Sequence, residues 1–251
     1  MLRTGIIDYL ANTYNSSAIF WCGFAAALIF AYLLGSINTS ILVSKLVYRS
    51  DIRKHGSGNG GLTNMHRTFG LKAAGLTLLG DMLKTIIAVL IPMFFFGFAY
   101  DTGICANELS YLSGMLAVLG HVYPVYYGFK GGKGVLVTST MALVVSPAIF
   151  GFLFLVFVGT VALFKYISLG SVAVATLYPV CLNFYFTTFI NAKIPSLIIA
   201  TTIFLAIFIV WLHRENLKRI GERTERKFSF KKKPTVTEIP TPIEDEDDDE
   251  E

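Results

Sequence analysis

The sequence predicts an all-α integral membrane protein with about seven transmembrane helices, two of them short. Three observations carry that expectation. The 251 residues are 54% hydrophobic and only 15% charged, a balance suited to a lipid environment rather than to a soluble domain with a large core. Apolar runs recur at 18–34, 85–100, 109–127, 135–164, 168–190 and 194–212. Basic residues gather in some of the connections between them and avoid others, as the positive-inside bias requires.

The first run follows Arg3 and the polar residues Asp8, Asn12 and Asn15. This is no cleavable leader pattern, and the run is long enough to stay as a span. Segment 49–72 carries Arg49, Arg53, Lys54, Arg67 and Lys72 against Asp51 alone, which puts it on the cytoplasmic side. The connection 100–108 has Asp101 and Glu108 and no Lys or Arg, so it belongs outside. Segment 128–134, with Lys130 and Lys133, and the stretch after Leu212, with Arg214, Lys218, Arg219, Arg223, Arg226 and Lys227, are again cytoplasmic. The N-terminus is then external and the C-terminus cytoplasmic.

Parity demands an even number of crossings between 135 and 212, where three runs are visible. Run 135–164 spans roughly 45 Å as helix against a core of about 30 Å. Ser146-Pro147 interrupts it, and proline breaks or kinks a helix. Two short spans there give seven in total; a five-span arrangement with a later re-entrant run also satisfies parity. Residues 1–227 form one polytopic domain. Residues 228–251 are expected to be a disordered tail: Lys231–Lys233, then Pro234, Pro240 and Pro242, then eight consecutive acidic residues from Glu244, too little apolar surface to offset ordering entropy.

The net charge of +4 conceals an asymmetry, because that block holds 8 of the 17 acidic residues. The remainder is strongly basic, which suits anionic headgroups and anionic substrates alike. Nothing in it is patterned for nucleic acid. Cys22, Cys105 and Cys181 are widely separated and lie in or beside apolar runs, as small buried hydrophobes without disulfide or metal.

Three polar constellations share the basic face. Gly56-Ser57-Gly58-Asn59-Gly60-Gly61, with Thr63, Asn64 and Arg67, offers backbone N–H groups, a hydroxyl and a fork-shaped cation to an anion. Its G-x-G-x-x-G match follows a membrane helix rather than a strand, so it is no dinucleotide signature. Gly131-Gly132-Lys133-Gly134 at a helix start supplies donors, a dipole and a positive charge, but Gly134 occupies the Ser/Thr position of a nucleotide loop. His213, Asn216 and Arg219 follow at helical spacing after the last run. Asp81 and Lys84, i and i+3 in the second helix, suit a structural pair or a substrate contact. Ser168 and Ser171 suit phosphate hydrogen bonds or ordinary capping.

Taken in order, Gly35-Ser36-Ile37, Gly56–Arg67, Asp81-Met82-Leu83-Lys84, Gly120-His121, Phe129–Val135, Ser168-Leu169 and His213-x-x-Asn216-x-x-Arg219 with Glu225 resemble the bacterial acyl-phosphate:glycerol-3-phosphate acyltransferases, the PlsY family. The resemblance covers about 35–227. It implies transfer of a fatty acyl group from acyl phosphate to the 1-hydroxyl of glycerol 3-phosphate, giving 1-acylglycerol 3-phosphate and phosphate, the first acylation of phospholipid biosynthesis. It also implies a multi-pass protein of the bacterial inner membrane with cytoplasmic site loops, an acyl-phosphate-producing enzyme as partner, and no cofactor.

On this resemblance, Ser57, Arg67, Lys133, His213 and Asn216 are catalytic. It also makes Gly131, Gly132 and Gly134 phosphate-binding and Glu225 structural. The residues' own chemistry adds Gly58, Asn59, Thr63, Asn64, Ser168, Ser171 and Arg219 as expected substrate or phosphate ligands, and Asp81 with Lys84 as an expected structural pair. Asn38 and Gly60 stand where the family is expected to have proline. The soluble-donor acyltransferase motif His-x4-Asp is absent: the residues five after the histidines are Gly60, Leu71, Tyr126 and Lys218. A transporter for a phosphorylated metabolite is the competing expectation, although transport sites lie nearer the midplane.

Overall fold

The computed structural model describes residues 5–96, 100–101, 104–105, 108–229 and 235. The expected tail therefore lies outside the described residues, apart from 228–229 and Thr235. The chain runs through α1 (Ile6–Thr13), α2 (Ser17–Gly35), α3 (Thr39–Tyr48), α4 (Leu62–Phe69) and α5 (Leu71–Phe96). A two-residue ribbon, β1 (Tyr100–Asp101) with β2 (Ile104–Cys105), leads to α6 (Glu108–Val122). There follow α7 (Val135–Val145), α8 (Pro147–Phe164), α9 (Ile167–Tyr185), α10 (Ser196–Leu212) and α11 (Arg214–Gly221). Apart from the ribbon, the regular structure among the described residues is helical.

Among the described residues, four helical stretches are long and apolar enough to cross a membrane: Ser17–Tyr48, Leu71–Phe96, Pro147–Phe164 and Ile167–Ile190. A fifth arises if α10 is joined to α11 through their 52° bend. Large apolar side chains point outward along these helices, among them Leu79, Leu155, Leu163 and Ile207, as a lipid-facing surface requires.

Two boundaries differ from expectation. The second helix starts at Leu71, far before the apolar run at 85, because Asp81 and Lys84 interrupt the hydropathy while facing inward. The break at Ser146-Pro147 falls where predicted, with proline opening α8. Ser146 is fully buried, and its hydroxyl bonds Ala142 O and the Tyr178 hydroxyl. At about 1.5 Å per residue the 11-residue α7 reaches only some 16 Å. The cysteine expectation also shifts: Cys22 is exposed and Cys181 half-buried rather than buried, and the Cys105 side chain lies outside the described residues.

The larger of two apolar clusters is drawn mainly from α5, α6, α7, α9 and α10 and includes Met93, Tyr111, Val118, Met141, Leu182 and Leu205. The smaller one, Ile41, Ile52, Met65, Phe69 and Ala73, packs under the first loop. Small residues let α2 cross α6 closely: a Cβ at Gly35 would strike the Ala117 carbonyl, and one at Gly120 the Tyr32 carbonyl. One end of the bundle collects the polar connections. Arg53 Nη1 donates to Tyr127 O at 2.7 Å, Gly60 N to Gly131 O at 3.1 Å, and Phe228 N to Lys165 O at 2.7 Å. The α8–α9 turn thus lies at the same end as both glycine loops.

Candidate active site

Each loop is shaped locally before it meets the others. In the first, Asp51 accepts from Arg53 N at 3.0 Å and pairs with its guanidinium at 2.7 Å. That hydrogen-bonded ion pair holds the Asp51 carboxyl down at about 2, against the opposing effect of burial. Asn64, on α4, is the internal tie. Its Oδ1 accepts Ser57 N at 3.0 Å, and its Nδ2 donates to Ile52 O, His55 O and Asn59 O. The loop so folded projects Ser57, Asn59 and Thr63, and α4 carries Arg67 beside them. Burial, and then Arg226 nearby, lower the Arg67 pKa.

In the second loop, Gly131 N donates to Val122 O at 3.0 Å and Gly132 N to His121 O at 3.2 Å. The expectation that these two N–H groups cradle a phosphate is corrected here. They fasten the loop to the end of α6, and neither glycine lines the cavity. Gly58 is likewise outside it, serving a left-handed turn (φ +73°). Gly134 (φ +73°) precedes α7 and does line the cavity with Lys133.

In the third, His213 closes α10 and is 4% exposed. Its Nδ1 lies 2.8 Å from Ile209 O. A carbonyl only accepts, so Nδ1 carries the hydrogen and Nε2 holds a free lone pair. Burial and the Lys133 charge push His213 down to about 4. Asn216 and Arg219 project from α11 to Glu225, which accepts Asn216 Nδ2 at 2.6 Å, Arg219 Nε at 2.8 Å and Ser168 Oγ at 3.0 Å. Burial would raise the Glu225 carboxyl, but these donors outweigh it and leave it below the ordinary carboxylate value. Lys133 Nζ donates to Asn216 Oδ1. Burial depresses Lys133 to about 8, with Arg219 and Arg214 adding to the effect against Glu225.

All three loops line a single cavity of about 970 Å³. Its polar end holds Ser57, Asn59, Thr63, Asn64, Arg67, Lys133, His213, Asn216, Arg219 and Glu225; its other end is walled by Leu143, Phe150, Phe154, Val174, Leu205 and Ile209. Ser168 and Ser171 line it too, but their hydroxyls donate to Glu225 and Ile167 O. Neither caps α9, whose N-cap is Tyr166. Asp81 and Lys84 pair at 2.8 Å with both side chains buried; Asp81 borders the cavity floor and Lys84 stands behind it. Among the described residues no group of three His, Cys, Asp or Glu could hold a metal ion. Sequence reasoning missed Arg226 and His121 as lining residues. Arg226 directly follows Glu225, and His121 sits in a block that carried the resemblance without an assigned role.

The glycerol-3-phosphate acyltransferase family profile matches residues 25–223. Glycerol-3-phosphate acyltransferase of Geobacillus kaustophilus (strain HTA426) is 41% identical over 206 residues, covering 82% of this chain and 96% of that protein. The one from Syntrophomonas wolfei is 40% identical over 207 residues, covering 82% and 98%. The crystal structure of PlsY (YgiH), an integral membrane glycerol 3-phosphate acyltransferase, in its glycerol 3-phosphate form, aligns with a TM-score of 0.71 at 35% identity, covering 82% of this chain and 96% of that one. The multi-pass chain therefore belongs to the PlsY family of integral membrane glycerol-3-phosphate acyltransferases.

Proposed function

We propose that this chain transfers a fatty acyl group from acyl phosphate to the 1-hydroxyl of glycerol 3-phosphate, releasing 1-acylglycerol 3-phosphate and inorganic phosphate. The observation that carries the reading is one cavity with a cationic, hydrogen-bonding end and an apolar end. That division matches an acyl phosphate, whose phosphate and acyl chain differ in the same way. Arg67 and Lys133 hold the phosphates, and Ser57 and Asn216 complete their hydrogen bonds. The acyl tail lies along α7, α8 and α10.

The glycerol hydroxyl attacks the acyl carbonyl directly. A C–O bond forms to the acceptor, the acyl–phosphate C–O bond breaks, and the hydroxyl proton ends on the departing phosphate. Neutral His213 accepts the hydroxyl hydrogen bond at Nε2 and aims the attack. With a pKa near 4 it is a weak proton acceptor, so the phosphate takes the proton. Glu225 orients Asn216 and Arg219 from behind.

The arrangement of loops at one end supports seven crossings by α2, α5, α6, α7, α8, α9 and α10, with an external N-terminus in the bacterial inner membrane. Acyl phosphate would come from an enzyme that phosphorylates a fatty carboxylate or that phosphorolyses an acyl thioester, releasing the thiol. A transporter reading gains nothing from a site gathered at one face.

Purified chain in detergent, given palmitoyl phosphate and glycerol 3-phosphate, is expected to release phosphate and form the monoacyl product in equal amounts. Palmitoyl-CoA should not replace the acyl phosphate. Turnover with the thioester alone would overturn the donor assignment, and an acyl group trapped on Ser57 would overturn direct transfer.

A further inference from the structure

Gly120-His121 closes α6 beneath the second loop, and the reaction above leaves His121 without a task. Its side chain is 3% exposed and borders the cavity floor. Nδ1 lies 3.1 Å from Lys84 Nζ, which also donates to Gly35 O at 3.0 Å and Ile37 O at 2.7 Å. An ammonium has no lone pair to offer a ring N–H, so Nδ1 faces it as an acceptor, sharing its three hydrogens with Gly35 O, Ile37 O and Asp81 Oδ1. Asp81 Oδ1 balances Lys84 at 2.8 Å but stays 3.7 Å from His121 Nδ1, too far for a ring hydrogen bond. The neutral ring therefore carries its hydrogen on Nε2.

That nitrogen points at Gly132, immediately before Lys133. A Cβ at Gly132 would run into Nε2 and into the Gly60 carbonyl, so any side chain there would cover the N–H. A neutral donor in this place adds a hydrogen bond to an anion in the cavity that Lys133 also lines, without burying another cation beside Lys84, which would be costly.

We propose that His121 is a further substrate-binding residue, its Nε2–H donating to a phosphoryl oxygen held by Lys133, with Lys84 and Asp81 as positioning residues that fix its tautomer. The proposal rests on the reading of the cavity as a phosphate site. Its test needs no turnover and uses inorganic phosphate as the probe, titrated by calorimetry into the full chain in detergent. His121→Gln keeps an N–H close to Nε2, whereas His121→Leu removes it.

The leucine variant should weaken phosphate binding about tenfold or more and the glutamine variant no more than about threefold, both with unchanged melting temperature. In the ¹⁵N-histidine spectrum of the unsubstituted chain, the resonance missing from His121→Gln should report the Nε2–H tautomer and shift on phosphate saturation. Wild-type phosphate affinity in His121→Leu, an Nδ1–H tautomer, a resonance indifferent to phosphate, or no phosphate binding by the unsubstituted chain would each overturn the proposal. The spectrum stands even if the leucine variant does not fold. Phosphate binding through His121 without acyl-phosphate turnover would sink the donor assignment and leave this inference intact.

Discussion

Two side chains at the polar end of the cavity set the expected pH window. Lys133, depressed to about 8 by burial, is cationic at neutral pH and loses its charge as pH rises through that value. Dianionic substrate needs the cation, so kcat/KM should fall with unit slope above about pH 8. Lys133→Arg should move that fall upward past pH 10, whatever it does to the plateau, because a guanidinium stays charged. His213, held near 4 by burial and by Lys133, stays neutral across the range. An acidic fall near pH 6 would then belong to the second ionisation of substrate phosphate, about 6. His213→Gln should lower turnover and leave that limb in place. Loss of the limb in His213→Gln would show that His213 itself is the titrating base.

Among the elements, α3 shows what pairs the loops. Asn38 is its N-cap: Oδ1 accepts Ile41 N at 3.2 Å and Ser40 Oγ at 2.6 Å, while Nδ2 donates to Gly60 O at 3.1 Å and His121 O at 3.4 Å. Asn38 and Gly60, the two positions where the family resemblance expects proline, therefore contact each other. The structure ties the loop at Gly60 from both sides, since Gly60 N also donates to Gly131 O. Asn38→Ala removes a cap and a buried cross-tie, and should cost about 1–2 kcal/mol of stability, read as a lower melting temperature in detergent. A wild-type melting temperature would mean that the first loop is held without Asn38.

This element also marks the limit of what the sequence made legible. The break at Ser146-Pro147, the polar loops and the His213/Asn216/Arg219 cluster follow from local rules of proline, hydropathy and helical spacing. The start of α5 at Leu71 does not, because hydropathy counts Asp81 and Lys84 as exposed when they neutralise each other inside. Nor does the commitment of the Gly131 and Gly132 N–H groups to α6, which depends on carbonyls nine and eleven residues back along the folded chain. His121 stayed unassigned for the same reason: its task depends on Lys84, from another helix.

At the scale of the whole molecule, the membrane topology turns on one connection. If 135–164 crossed once, Lys165 would lie on the face opposite Lys133. Instead its carbonyl accepts Phe228 N at 2.7 Å, three residues after Glu225, which engages Ser168 and Asn216 at the cavity mouth. In the proposed seven-crossing arrangement short α7 descends and α8 returns, a hairpin whose bend is the buried Ser146. Single cysteines placed in a chain freed of Cys22, Cys105 and Cys181 test this in sealed vesicles with a membrane-impermeant thiol reagent. Lys54→Cys, Lys130→Cys, Lys165→Cys and Arg223→Cys should all label from the cytoplasmic side, and Glu108→Cys and Lys193→Cys from the opposite side. Labelling of Lys165→Cys from the outer side, with Lys130→Cys and Arg223→Cys still cytoplasmic, would replace seven crossings by five. It would also separate the α8–α9 turn from the site that Ser168 and Glu225 join.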